Sequence, residues 1–247
     1  MLIPSIYMYI LFVSIIYYLV KEEYWKGSLE KLSIIIKKNI RPSIIVFIIT
    51  LFSISFLDLP ISKYFSHQNN ISFLKPFIRI INKFGDGSFI FPLFITLLIV
   101  SLLVQQEKYK KILLISLSSS IYAGLFNLFL KILFNRARPY TDLNPYELFV
   151  YNHSNIFKAD YWSMPSGHTI VAFATMVPLV IHFKNKLLKS SLLTLSILVA
   201  FARVYLFKHW LSDVIMAAFL GTIIGIMAYQ NNINKISNNP IEIHSEI

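Results

Sequence analysis

The sequence predicts an all-α, polytopic membrane bundle with six core transmembrane helices and a further N-terminal hydrophobic segment. Two observations of composition and one of pattern lead there. Of 247 residues, 56% are hydrophobic and 14% charged, against about 45–50% and about 25% in soluble domains. The mean hydropathy is +0.63. The apolar residues also fall in long blocks with almost no charge, and one helical crossing needs about 20 such residues. The same composition excludes a disordered chain, a coiled coil and an ordinary cytosolic enzyme.

Residues 1–20 carry no charge. Without a basic leader or a small-residue cleavage site they do not read as a removable signal peptide, but as an extra span or an interfacial anchor. The basic, Ile-rich stretch 21–42 suits a short interfacial helix and closes a first region, 1–42. Six apolar blocks follow at 43–57, 88–104, 112–134, 169–183, 191–207 and 211–229. They define a six-span domain over 43–230, with a polar, Asn-rich tail at 231–247. Two long polar interruptions, 58–87 and 135–167, stand between the blocks, and loops of that length are usually functional or disordered.

Charge orients the bundle. The chain holds 23 Lys and Arg against 12 Asp and Glu, a net +11. These charges lie between apolar blocks, where basic loops meet lipid headgroups, so no nucleic-acid partner is expected. Thirteen of the 23 collect on one side, in the stretch 21–42, at Lys108, Lys110 and Lys111, at Lys184, Lys186 and Lys189, and at Lys235; eight fall on the other. The positive-inside bias makes the first side cytoplasmic and turns both long interruptions outward. The absence of cysteine removes disulfides, thiolate metal sites and cysteine nucleophiles.

Three segments carry ionisable residues at the outer ends of apolar blocks, where such groups are costly and usually functional. In Lys131-Ile-Leu-Phe-Asn-Arg-Ala-Arg138-Pro139 the two outer cations are seven residues apart. A continuing helix would put them on one face, which suits a phosphate held by an ammonium and a guanidinium fork. Interfacial snorkelling is the plainer alternative. In Pro165-Ser166-Gly167-His168 small residues open a helix whose free N–H groups favour an anion. Ser166 adds a hydroxyl, and His168 a group that exchanges protons near neutral pH; a simple Ser166 cap competes with this reading. The third segment runs from Arg203 to His209 and Asp213. His209 and Asp213 share a helix face at i, i+4, so the carboxylate can orient the ring of a basic or nucleophilic histidine. Arg203, six positions earlier, needs a bend in the chain to join them. A structural His–Asp pair is the alternative there.

Taken together, Lys131, Arg138, Pro139, Pro165, Ser166, Gly167, His168, Arg203, His209 and Asp213 resemble the three-part signature of the type 2 phosphatidic acid phosphatase family, K-x(6)-R-P, P-S-G-H and S-R-x(5)-H-x(3)-D. The resemblance covers about residues 43–229. One position departs, with Ala202 where the family has Ser. The resemblance implies a metal-independent, cofactor-free membrane lipid phosphatase. In it His209 attacks phosphorus, Asp213 holds its ring, and His168 serves as acid and then base. Lys131, Arg138, Arg203, Ser166 and Gly167 hold the phosphate oxygens. It also implies an active site on the outer face of a bacterial-type cytoplasmic membrane. The expected partners are the bilayer and a lipid phosphate of the undecaprenyl diphosphate, lipid A, phosphatidylglycerophosphate or phosphatidate class, with no obligate protein partner. A phosphotransferase using the same phosphohistidine, or a catalytically silent lipid-binding or transport protein, are the alternatives. Gly85-Asp86-Gly87 reads as a turn or cap opening the second block, with Asp86 a lesser candidate for the site.

Overall fold

The structure is a computed structural model that describes residues 40–68, 73–141, 143–149 and 158–237. The N-terminal hydrophobic segment, most of the basic stretch after it and the last ten residues of the tail lie outside the described residues. Every regular element among them is helical, apart from an isolated bridge between Arg136 and Trp162.

Helix α1, Ile40–Phe52, passes through a π-helical turn, Ser53–Leu57, into α2, Asp58–Gln68. The apolar stretch was expected to end at residue 57, with a polar interruption from 58. Instead the helix continues, because the Asp58 side chain is buried and ion-paired rather than solvated. After α3, Leu74–Lys83, and a tight turn comes α4, Gly87–Leu103. Asp86 caps α4 by accepting from the Ser88 amide at 2.9 Å, satisfying one of its free donors. The two helices are bent by 58°. Helix α5, Glu107–Phe134, is the longest at 28 residues. It ends where Asn135 turns left-handed (φ 37°) and donates its amide to the Lys131 carbonyl at 2.9 Å. Helices α6, Gly167–His182, α7, Lys186–Tyr205, and α8, Leu211–Ser237, complete the bundle.

Helix α6 is the hub, packed against α5, α7 and α8. Ala123 on α5, Ile170 and Ala174 on α6, and Ala217 on α8 bury one another. A Cβ on Gly221 would stand 2.5 Å from the Ile170 carbonyl oxygen, so the α6–α8 contact is backbone to backbone. Small residues allow that approach in membrane bundles, where packing rather than water release drives association. The outer faces stay apolar: Ile44, Ile45, Phe47 and Ile48 on α1 are all more than half exposed, as a lipid-facing helix requires. Among the described residues four helices are long and apolar enough to cross a membrane, five if the bent α3–α4 pair is one span, while α6 is shorter. The chain is an integral membrane protein of helical-bundle architecture.

Candidate active site

All eight residues singled out in the sequence gather at one end of the bundle, by three different local routes. Lys131 projects from the last turn of α5. Arg138 was expected to share its face on a continuing helix, but α5 stops at Phe134 and Arg138 arrives through the loop. That loop is pinned across to a second strand of chain: Arg138 donates its amide to the Asp160 carbonyl at 2.8 Å, and Ser163 donates to the Arg136 carbonyl at 3.0 Å. Its guanidinium reaches the Trp162 carbonyl at 3.5 Å.

Ser166 precedes the first turn of α6 in an extended conformation. Its side chain does not cap the helix. The hydroxyl instead accepts from the Thr169 hydroxyl at 3.0 Å, and its amide donates to the Asp213 carbonyl at 3.2 Å, tying the start of α6 to the start of α8. Gly167 and His168 come before the first intrahelical bond, from Ile170 to the Ser166 carbonyl, so their amides face outward from the helix end. A Cβ on Gly167 would lie 3.2 Å from the Asn127 amide nitrogen and 3.6 Å from the Lys131 ammonium. Glycine thus leaves clear the space beside that cation.

The third route is a turn. Helix α7 ends at Tyr205, Phe207 takes a positive φ of 58°, and Lys208 and His209 both donate their amides to the Arg203 carbonyl. This folds His209 back over Arg203, supplying the bend their spacing requires. Arg203 is fixed from the far side by Asn82 of α3, whose side-chain oxygen accepts from its guanidinium at 2.8 Å. The His209 ring is buried and lies within electrostatic reach of Arg203, Arg138, Lys131 and His168. Burial first, and then those positive charges, hold its imidazole well below the ordinary histidine range, so the ring is neutral.

Asp213 was expected to share a helix face with His209, but α8 begins at Leu211 and His209 lies in the turn before it. The turn nevertheless leaves Asp213 Oδ2 3.5 Å from His209 Nδ1. The closer partner of Nδ1 is the Ser163 carbonyl oxygen, at 2.7 Å. Asp213 is engaged elsewhere: it accepts from the Ser163 hydroxyl at 2.5 Å, the Trp210 amide at 3.0 Å and the Arg136 guanidinium at 2.6 Å. It therefore builds the wall against which the ring leans.

Arg136, Asp58, Ser163 and Ser212 are the residues that sequence reasoning missed. Arg136 stands in the polar interruption 135–167 that the charge bias turns outward, yet it has no exposed surface. It bridges Asp213 to Asp58, which it meets at 2.7 Å, and binds the Pro145 carbonyl and the Ser212 hydroxyl. Ser212 in turn donates its amide and hydroxyl to Asp58. The sequence signal for the pair was a lone carboxylate, Asp58, at the edge of an apolar block. Ala202, the departure from the family pattern, is buried in the apolar cluster that joins α7 to Ile78 and Ile81 of α3.

The described residues form a helical membrane bundle that gathers three cations and two histidines at one end. The PAP2 superfamily matches residues 112–236, just over half of the chain, and the protein belongs to that superfamily, whose members are phosphatases. Curated protein sequences give no match. Two solved structures are similar. Aquifex aeolicus LpxE is 25% identical, with a TM-score of 0.51, covering 70% of this chain and 95% of its own. The first transmembrane PAP2 type phosphatidylglycerolphosphate phosphatase from Bacillus subtilis is 22% identical, with a TM-score of 0.59, covering 77% of this chain and 96% of its own; at that identity it speaks for the fold.

Proposed function

We propose that the protein removes phosphate from a membrane lipid through a phosphohistidine on His209. The carrying observation is the His209 ring: Nδ1 is tied to the Ser163 carbonyl, and that carbonyl can only accept, so Nδ1 keeps the proton and Nε2 keeps its lone pair. As Nε2 bonds to phosphorus, the bond from phosphorus to the lipid oxygen breaks, and His168 gives that oxygen its proton. A water then attacks the phosphohistidine, His168 takes the proton, and the P–N bond returns its electrons to Nε2. Lys131, Arg138 and Arg203 stabilise the equatorial oxygens, with the Ser166 hydroxyl and Gly167 amide as donors. Positioning and charge are most of what phosphoryl transfer needs, and three cations supply the charge a divalent metal supplies elsewhere.

A lipid rather than a soluble ester is favoured by an apolar groove of about 400 Å³ lined by Phe47, Ile54, Phe134, Phe149, Met164 and Phe219. Met164 adjoins Pro165 and Ser166, so a chain lying there has its headgroup beside the site. The outer membrane face is favoured by charge, because Lys108, Lys110 and Lys111 and then Lys184, Lys186 and Lys189 flank the turns at the opposite end of the bundle. The lipid carrier and lipid A classes fit an outward site.

The test is phosphate release from a panel of lipid phosphates in detergent, with His209→Ala beside the wild type. The wild type should turn over one class, and rapid quenching with labelled substrate should give an acid-labile phosphoprotein that the variant lacks. Release without any such adduct, or an active variant, overturns the mechanism. No release from any lipid phosphate leaves a lipid-binding protein.

A further inference from the structure

The turn between α3 and α4 lies outside the part of the chain that matches the superfamily, yet it is pressed into the site. Ile78 and Ile81 of α3 pack with Val199, Ala202 and Tyr205 of α7 in one buried cluster. At the end of that contact is Gly85. A Cβ there would stand 2.6 Å from Val199, 2.7 Å from the His168 carbonyl oxygen and 2.8 Å from the His168 Cβ. Only a glycine lets the turn approach the His168 backbone this closely.

The next residue is Asp86, and its two carboxylate oxygens divide their work. Oδ1 accepts from the Ser88 amide and hydroxyl, at 2.9 and 2.8 Å, which completes the α4 cap. Oδ2 faces the Nε2 of His168 at 3.8 Å. A cap alone needs one oxygen and would leave the other to water. The other charged groups acting on His168 are Arg203, Lys131 and Arg138, all positive, with His209 across the site. Asp86 is the anion among them, and it is half-exposed.

We propose that Asp86 is a positioning residue for His168, holding its ring so that it delivers a proton to the departing lipid oxygen. The inference rests on the acid role assigned to His168. Asp86 receives no proton and forms no bond to substrate; it orients the ring by attraction across a gap that shortens as substrate fills the site, since such contacts are often long before substrate binds. The same corner also holds Arg203, through Asn82, so α3 and its turn supply a fixed partner to a phosphate-holding group and to the proton donor.

The experiment uses the full-length protein in detergent with two substrates, an alkyl lipid phosphate and an aryl phosphate whose leaving group needs no proton. Asp86→Asn and Asp86→Ser both keep a good helix cap and remove the charge. Each should lower the single-turnover rate of phosphohistidine formation from the alkyl substrate about tenfold or more, up to the ~10²–10⁴ that full loss of an acid or base costs, with substrate affinity unchanged. On the aryl substrate the rate of phosphohistidine formation, read as the pre-steady-state burst of the aryl product, should stay within about twofold, because that step no longer needs the acid, while the later water step shared by both substrates still uses His168. Ser88→Ala keeps the amide cap bond and the Asp86 charge and loses only the hydroxyl contact to Oδ1; with the anion still facing His168 it should show no such split. Equal loss on both substrates, or none on either, overturns the role of Asp86. His168→Ala is the control for the underlying reading. If it also lacks the alkyl–aryl split, the acid assignment fails; if it shows the split and the Asp86 variants do not, the Asp86 inference alone fails.

Discussion

The Nδ1 atom of His209 lies 2.7 Å from the Ser163 carbonyl oxygen and 3.5 Å from Asp213. The ring is thus oriented by a main-chain acceptor, and the carboxylate next to it acts on the loop that presents that acceptor. A neutral Nδ1–H tautomer follows, and burial and surrounding cations keep it neutral below the usual histidine range. In ¹⁵N-histidine spectra one ring, missing in His209→Gln, should show the Nδ1–H pattern and not titrate between pH 8 and pH 5.5. An ordinary titration near pH 6.5 would contradict the site as described. Linkage gives the sign for stability. The unfolded ring takes up a proton near pH 6.5 and the folded one does not, so His209 costs the fold stability as pH falls below that value.

Arg136 neutralises two buried carboxylates at once. Arg136→Ala leaves both unpaired and should destabilise the bundle by about 3–5 kcal/mol, the usual cost of breaking a buried pair. Arg136→Lys should recover little, because an ammonium cannot bond Asp58, Asp213 and the Pro145 carbonyl with one planar fork. Thermal unfolding in detergent measures both. Adding Asp58→Asn to Arg136→Ala should cost less than the sum of the single losses, as expected for direct partners; strict additivity would argue against the network.

Gly167→Ala puts a methyl 3.2 Å from the Asn127 amide and 3.6 Å from the Lys131 ammonium. The helix should tolerate it, since alanine is the better helix former. The phosphate site should not. A displaced cation is expected to lower kcat/KM by about 10–100-fold, in line with the cost of small misplacements, with the melting temperature unchanged. An unaffected kcat/KM would put the phosphate elsewhere.

In the proposed reaction Lys131, Arg138 and Arg203 supply the positive charge that the transferred group requires. Activity should survive prolonged treatment with EDTA. Loss on chelation and recovery on adding magnesium would assign that charge to a metal.

The chain has no cysteine, so single cysteines report sidedness cleanly. Lys158 and Lys186 are both exposed, one near the site and one at the opposite end. Under an impermeant thiol reagent on intact cells, Lys158→Cys should label and Lys186→Cys should not. The reverse would place the chemistry in the cytoplasm.

What the sequence made legible was whatever depends on local spacing. The apolar blocks became α4 to α8, although α5 and α7 start five residues early and α8 runs eight residues past 229 into the expected tail. His209 and Asp213 do meet, through the turn before α8 rather than along one helix face. The expectation failed where a distant partner changes the meaning of a charge. Asp58 looked like the first residue of a loop, since a lone carboxylate beside an apolar block should be solvated, and only its meeting with Arg136, 78 positions away, keeps it helical and buried. Lys131 and Arg138 come together although α5 ends between them, because the bridge from Arg136 to Trp162 replaces the missing helical turns. No spacing rule contains that bridge.

The residues contributed by α2 and by the α3–α4 corner have a consequence for dividing the chain. Asp58, Asn82 and Asp86 all precede the turn at Gln105, which is left-handed (φ 55°), whereas the histidines and cations follow it. Helices in a bilayer close their own backbone hydrogen bonds before they associate, so the two pieces need not be continuous to find each other. A chain interrupted at that turn would yield one fragment with the reacting groups and no frame, and another with the frame and nothing to react. Co-expressed, they should dock again inside the membrane, and the phosphate release recovered would report that docking.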